Sequence, residues 1–318
     1  MKKTLAVLLM LAMFLAMLVI PTAAEDEVED TFDPFAESPT ISTANDYVNF
    51  FHEVYTNKTS FEGKTITLMH DIELNKTAEA DWYKKEDALK LTPSNNKWSD
   101  FQGTFDGNGH TIKGVIVEGS EFRSDLNCGI FPYVYFATIK NVTFDGFYVC
   151  ATNKTQLPIW GKGGIGGLIG LANGCVTIDN VTMRNGIVTA VEGGKGAIGA
   201  LIGTYYGALS DADRKAGKTL NVSITNTTVE ESVRLEKGNS DVSLIGGIFG
   251  FVESNYQSHP TTIDLSASKI QPSGSKDAEN PLTAIGKFRH KVGNDANLGA
   301  TFTIKNDSTT YEQKIEMD

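Results

Sequence analysis

The chain has 318 residues with a formal net charge of −11, and 41% of its residues are hydrophobic, which excludes a disordered protein. The acidic balance argues against a nucleic-acid-binding protein, because phosphate contact requires a basic face. With 3 cysteines the chain is not a disulfide scaffold, and 31 glycines without a collagen period indicate a glycine-rich, β-rich protein.

The first 24 residues have the pattern of a secretory signal peptide. Lys2 and Lys3 precede an apolar run over residues 5–20, and small residues follow up to Ala24. We expect cleavage after Ala24; the alternative is an uncleaved anchor, although the run is short of the roughly 18 residues of a spanning helix. No second apolar run follows, so we expect a secreted chain without a transmembrane anchor once the signal is removed.

The next segment is acidic and then changes to a helical pattern. Residues 25–42 contain two prolines and no periodicity, which predicts a disordered linker. Residues 43–56 predict an amphipathic helix, because apolar residues recur at helical spacing after a Ser or Thr N-cap. We expect this helix to cover the N-terminal end of a β-domain over residues 43–318. The apolar residues of the helix are Tyr47, Phe50, Phe51 and Val54.

Two elements recur through the rest of the chain. The first is a small residue, two large apolar residues and often a glycine; copies begin at Cys128, Gly166, Gly199 and Gly246, which gives spacings of 38, 33 and 47 residues. The second is an alternating stretch that begins Ile-x-Asn. Such repeats leave no room for long helices and must bury their apolar faces on one another. A propeller blade would need four antiparallel strands with hairpin turns, so the pattern favours an all-β solenoid of parallel strands.

The recurring glycines and asparagines have structural roles in this interpretation. Asparagine tolerates the left-handed backbone of a tight bend, and stacked side-chain amides can hydrogen-bond one another. Glycan attachment is the alternative for the asparagines, since each begins an Asn-x-Thr sequence. The stretch Asp106-Gly107-Asn108-Gly109 predicts a tight turn; the alternative is a catalytic Asp106 with His110 as a base. The structural repeat residues are Gly167, Gly203, Gly247, Asn141, Asn180 and Asn226.

The chain resembles a group of secreted bacterial proteins with GLUG-like repeats, many of them adhesin-like. The resemblance covers about residues 43 to 305 and is carried by Phe-Gln-Gly-Thr-Phe-Asp-Gly-Asn-Gly-His at residues 101–110 and by Gly-Gly-Leu-Ile-Gly at residues 166–170. It implies a right-handed parallel β-helix of the pectate-lyase-like type. Most members of this group have no established activity. Pro132 departs from the pattern, because the other copies close with glycine.

No catalytic residue, metal ligand or cofactor is assigned from the sequence. The acidic residues do not recur at one repeat position, and the histidines lack metal-ligand spacing. Aromatic residues after the glycine elements are the better candidates for a binding site, because sugar rings stack on tyrosine. The alternative is that they fill the interior. The candidate ligand-binding residues are Tyr133, Tyr135, Tyr205, Tyr206 and Tyr256.

The function that we expect from these observations is non-enzymatic. A secreted or cell-surface β-helix would bind a polysaccharide or a cell-surface protein through the aromatic residues. One alternative is a polysaccharide lyase or glycoside hydrolase with this fold, which would need several carboxylates and a basic residue close together. Another alternative is a purely structural extracellular component that binds no ligand.

Overall fold

Parallel β-strands are the predominant secondary structure of the described residues in the computed structural model of this chain. The structure describes residues 32–93, 99–119, 127–152, 164–190, 197–207, 209–218, 220–236, 244–254, 262–264, 267–274, 285–290, 301–306 and 309–314. The predicted signal peptide, the first part of the predicted linker and Tyr256 lie outside the described residues.

The helices of the described residues are short. Helix α1 is Ala44–Tyr55, helix α2 is Asp211–Lys215, and a 3-10 helix covers Trp82–Lys84. In this part of the chain, no helix has the length and apolar content that crossing a membrane requires. The strands are β1 Thr40–Ile41, β2 Thr65–Leu68, β3 Ile72–Glu73, β4 Thr104–Asp106, β5 Thr111–Gly119, β6 Phe131–Tyr135, β7 Thr138–Ala151, β8 Gly164–Gly166, β9 Ile169–Asn173, β10 Val176–Ala190, β11 Ala197–Gly199, β12 Ile202–Gly207, β13 Asn221–Thr225, β14 Thr228–Val229, β15 Arg234–Glu236, β16 Leu244–Gly246, β17 Phe249–Ser254, β18 Thr262–Asp264, β19 Lys269–Ile270, β20 Ser273–Gly274, β21 Ile285–His290, β22 Thr301–Asn306 and β23 Thr309–Lys314.

Within the described residues these strands form three sheets. The largest has the order β1-β2-β4-β7-β10-β13-β18-β22-β23, and shorter strands pair beside this path. The second has the order β21-β17-β12-β9-β6, and the third has the order β16-β11-β8. Neighbouring strands run parallel, except that β22 and β23 are antiparallel. The parallel order rules out the propeller, whose blades are antiparallel.

The repeats pair position by position. Ile139 of β7 pairs with Ile178 of β10, which pairs with Ile224 of β13, and all three side chains are fully buried. The next position along each strand is half-buried, as at Lys140 and Asp179. The alternation in the sequence therefore places one apolar column in the core, where each side chain contributes roughly 1.5–3 kcal/mol by leaving water.

The repeated asparagines occupy left-handed bends. Asn141, Asn180 and Asn226 have φ of 55°, 53° and 50°. Asn141 Nδ2 donates to Asp106 Oδ1 at 3.0 Å, and Asn180 Nδ2 donates to Asn141 Oδ1 at 3.0 Å. The amide of Asn226 instead donates to Asp179 Oδ1 at 2.9 Å. Because these amides bond across neighbouring strands, they tie the bends of successive repeats together.

The stretch Asp106-Gly107-Asn108-Gly109 forms a tight turn. Asp106 Oδ1 accepts a hydrogen bond from Asn108 N at 2.9 Å, and Asn108 and Gly109 have φ of 51° and 82°. A Cβ on Gly107 would lie 2.3 Å from Val142 Cβ, so this glycine permits close approach of the next repeat.

The glycine-rich elements bring backbones together where the chain passes from the third sheet to the second. A Cβ on Gly167 would lie 2.2 Å from Ala200 O, and one on Gly203 would lie 2.2 Å from Ile165 N. Gly247, at the equivalent position of a later repeat, is buried. Glycine is required at positions 167 and 203 because a Cβ there would collide with the backbone of the neighbouring repeat.

Helix α1 is fixed at its first turn by a capping box. Thr43 Oγ1 accepts from Asp46 N at 3.1 Å, and Asp46 Oδ2 accepts from Thr43 N at 2.8 Å. The apolar face of the helix, predicted from its spacing, packs Phe50 against Phe101, Phe105 and Phe131 with ring centroids 5.6–6.4 Å apart.

The expectation of a disordered linker is wrong for residues 32–42, which pack onto the domain. Phe32 packs on Phe50 and Phe61 with ring centroids 6.0 Å apart, and its amide donates to Asp46 Oδ1. Ile41 is fully buried in β1, which pairs with β2. The acidic residues Asp33 and Glu37 are exposed to solvent, whereas Phe32, Pro39 and Ile41 are buried and hold the segment in place.

Candidate functional site

The candidate tyrosines lie on the second sheet in a fixed register. Tyr133 and Tyr135 of β6 pair with Leu171 and Asn173 of β9, and Asn173 pairs in turn with Tyr206 of β12. Tyr133, Tyr135 and Tyr206 are half-buried, whereas the intervening column of Val134, Ala172 and Tyr205 is fully buried. One face of the sheet therefore carries three tyrosines that reach solvent.

Tyr205 is not available to a ligand, which corrects the expectation from the sequence. Its side chain has no exposed surface, and its hydroxyl donates to Gly174 O at 2.8 Å. The physical reason is strand alternation: Tyr205 and Tyr206 are adjacent in β12, so their side chains point to opposite faces. Tyr205 fills the core, as the alternative interpretation proposed. Of these two adjacent tyrosines, Tyr206 is the one that shares the solvent-facing side of the sheet with Tyr133 and Tyr135.

Polar side chains from other segments surround these tyrosines. Phe101 and Val134 form an isolated parallel β-bridge, and this pairing places Asp100 beside Tyr133. Asp100 Oδ2 accepts a hydrogen bond from Gln102 Nε2 at 3.0 Å. The side chain of Asn173 hydrogen-bonds Tyr133. We call the following group the tyrosine–carboxylate cluster: Tyr133, Tyr135, Tyr206, Asn173, Asp100 and Asp213.

Asp213 belongs to the insertion that follows β12 and anchors it to β6. The Tyr135 hydroxyl and the Ser210 hydroxyl both donate to Asp213 Oδ2, and Lys218 Nζ lies 2.8 Å from Asp213 Oδ1. The same Lys218 Nζ sits 4.4 Å from the centroid of the Phe136 ring. Helix α2 is thus held against the tyrosines by one carboxylate and one ammonium group.

The two carboxyl groups of the cluster have pKa values displaced in opposite directions. Burial raises the pKa of Asp100 above its ordinary value. The hydrogen bond from Gln102 lowers this pKa, whereas the negative charge of Glu62 raises it, and the net shift is upward. Burial alone would also raise the pKa of Asp213, but hydrogen bonds from Lys218, Ser210 and Tyr135 outweigh it and lower this pKa to about 2. Burial raises the pKa of Tyr133 to about 12, so its hydroxyl stays protonated.

Replacing Asp213 with asparagine should destabilise the protein at neutral pH, and this effect should disappear below pH 2. Because the folded-state pKa lies below the ordinary 3.8, the stabilisation is present above 3.8 and is lost as the pH falls through about 2. Solvent screening limits the effect to about 1 kcal/mol. Urea unfolding at several pH values measures it, with Asp87→Asn as the control, since Asp87 is an exposed aspartate without a salt bridge among the described residues. A loss that is independent of pH would contradict this prediction.

The alternative catalytic pair, Asp106 and His110, is not assembled. His110 Nδ1 lies 3.1 Å from Asp71 Oδ1, whereas Asp106 bonds Asn141 and lies 3.1 Å from Lys140 Nζ. The sequence also missed Asp100 and Asp213 as partners of the tyrosines. Strand alternation could have placed Asp100 on the outer face, because the adjacent Phe101 faces the core. Nothing in the repeat predicts where the insertion carrying Asp213 would pack.

The cluster offers phenol hydroxyls, an amide and carboxylates on one half-buried surface, which suits a ligand rich in hydroxyl groups. In the part of the chain that the structure describes, no group of three or more His, Cys, Asp or Glu residues could hold a metal ion. Comparison of this chain with protein-family models, with curated proteins and with solved structures found no match.

Proposed function

We propose that this protein is an exported right-handed parallel β-helix that binds a polysaccharide through the tyrosine–carboxylate cluster without chemically changing it. The in-register parallel pairing of the repeats supports the β-helix. The basic, apolar start of the chain supports export. The adhesin-like role rests on the resemblance to proteins with GLUG-like repeats.

One observation carries the binding function: three half-buried tyrosines and an amide share one sheet face, and two carboxylates from neighbouring segments lie beside them. Sugar rings are bound by aromatic side chains that lose little entropy and by polar groups that exchange hydrogen bonds with hydroxyls. Tyr133 and Asn173 are already hydrogen-bonded to each other, so their orientation is set before a ligand arrives. Such preorganisation lowers the cost of binding.

A panel of immobilised neutral, anionic and amino polysaccharides tests this function with the purified protein. We expect saturable binding to at least one polymer, weakened at least tenfold by Tyr206→Ala, which removes a ring without opening the core. Tyr83→Ala is the matched control, because Tyr83 is a half-buried tyrosine that stacks on Tyr148 with centroids 4.2 Å apart, away from the cluster. Binding that is equally sensitive to both variants would refute the assignment to the cluster, and an absence of binding would favour the structural alternative.

Glycoside hydrolysis is a second candidate, favoured by the opposite displacement of the two carboxyl pKa values. A carboxyl group with a raised pKa can act as a general acid while an ionised partner stabilises positive charge. In this function Asp100 would donate the proton, and Asp213 would need to be released from its three donors. Release of reducing ends from the bound polymer, abolished by Asp100→Asn, would establish hydrolysis in place of simple binding.

A further inference from the structure

We propose that the polysaccharide bound by the tyrosine–carboxylate cluster carries free amino groups, so that a protonated sugar amine sits between the tyrosines and Asp100. This inference rests on the proposed function and specifies its ligand. It follows from an imbalance of charge around the cluster: among the described residues, the carboxylates of Glu62 and Asp100 have no cation within ion-pair distance, and the nearby ammonium group of Lys218 is paired with Asp213.

Asp100 and Glu62 are the carboxylates without a cation. In the described residues, no Lys, Arg or His nitrogen lies within 4.0 Å of either side chain. Asp100 is half-buried, accepts a side-chain hydrogen bond from the neutral Gln102, and is repelled by Glu62. Partial burial of a carboxylate beside a like charge is unfavourable. A cation from the ligand would relieve both the desolvation and the repulsion.

The nearby ammonium group of Lys218 does not fill this role. Its Nζ lies 2.8 Å from Asp213 Oδ1 and over the Phe136 ring, and it reaches Glu62 only through longer-range electrostatics. Among the described residues, the three carboxylates Glu62, Asp100 and Asp213 thus face one lysine. An anionic sugar would meet net repulsion at this surface, whereas a neutral sugar would form hydrogen bonds without neutralising a carboxylate.

A sugar ammonium gains two interactions that a neutral sugar does not. It forms an ion pair with Asp100 in addition to the hydrogen bond that a neutral hydroxyl could donate. It can also lie against the Tyr133 ring, which attracts cations through its quadrupole. Tyr133 is held next to Asp100 by the bridge between Phe101 and Val134, so one amine can use both groups.

Isothermal titration calorimetry with the full protein tests the inference with two ligands that differ only in the amine. The probes are a glucosamine oligosaccharide and the N-acetylglucosamine oligosaccharide of equal length, at a pH where the amine is protonated, with an oligouronate as the anionic comparison. We expect the free amine to bind at least about tenfold more tightly, a ratio that corresponds to about 1.4 kcal/mol. This preference should shrink as salt is raised.

Variants separate this inference from the proposed function. Asp100→Asn should abolish the preference for the free amine over the acetylated oligosaccharide, and Asp87→Asn should leave that preference unchanged. Glu62→Gln, at an exposed position where folding is not at risk, should reduce the preference and provides the test if Asp100→Asn does not fold. If the unaltered protein bound the two oligosaccharides equally, or bound the oligouronate more tightly, the amine assignment would be overturned but glycan binding would remain. Failure of all three to bind, together with failure of the polysaccharide panel, would refute the proposed function itself.

Discussion

Replacing Gly203 with alanine is expected to cost about 3 kcal/mol or more of the free energy of unfolding. The added Cβ would lie 2.2 Å from Ile165 N, 2.5 Å from Gly164 C and 2.7 Å from Gly164 Cα. All three atoms belong to the backbone of β8, so no side chain can rotate away to make room. The second and third sheets would have to separate, and urea unfolding followed by circular dichroism measures the loss.

Gly63→Ala is the matched control for this substitution. Gly63 has φ of +74° but no atom within 4 Å of an added Cβ. Its replacement should therefore cost only the conformational penalty of a left-handed residue, about 1 to 2 kcal/mol. If the two alanine variants were equally stable, close sheet contact at Gly203 would be disproved.

Phe50→Ala should destabilise the protein by about 3 to 5 kcal/mol, the usual cost of removing a buried aromatic side chain. Phe50 is 1% exposed, and its ring lies 5.6 Å from both Phe101 and Phe105 and 6.4 Å from Phe131. Phe105 lies within β4, Phe131 begins β6, and Phe101 comes shortly before β4. Loss of the ring would leave a cavity between helix α1 and the first strands.

The exposed His52 on the same helix provides the control for Phe50. His52→Ala should change the free energy of unfolding by less than about 0.5 kcal/mol. The measurement is again urea unfolding, supplemented by limited proteolysis of the N-terminal segment, which should become sensitive in Phe50→Ala alone. A loss below about 1 kcal/mol for Phe50→Ala would contradict the role of helix α1 as a packed cover.

The local features of the fold were predictable because they either repeat along the chain or depend on a single short segment. The Ile-x-Asn stretches predict strands with a left-handed bend at the asparagine, and Asn141 and Asn180 have that conformation. The helix at residues 44–55 was predictable from its cap and apolar spacing, which are properties of a single segment. In each case the residues that determine the structure are close together in the sequence or recur at one position of the repeat.

The unpredicted features depend on contacts between distant segments. The docking of Phe32 against Phe50 and Phe61 cannot be read from the acidic composition around it. The contact of Tyr135 with Asp213 joins positions 78 residues apart through an insertion outside the repeat. The burial of Tyr205 could have been predicted, because alternation along β12 allows only one of two adjacent tyrosines to face solvent.

The in-register pairing of β7, β10 and β13 also has a consequence for how the chain folds. The side chains that bond across these strands are 39 residues apart for Asn141 and Asn180, and 47 apart for Asp179 and Asn226. Parallel pairing at such separations gives a high contact order, because each loop must close before its contacts form, and folding is then slow. A slowly folding chain stays unfolded for longer after synthesis, which would suit the export that we propose.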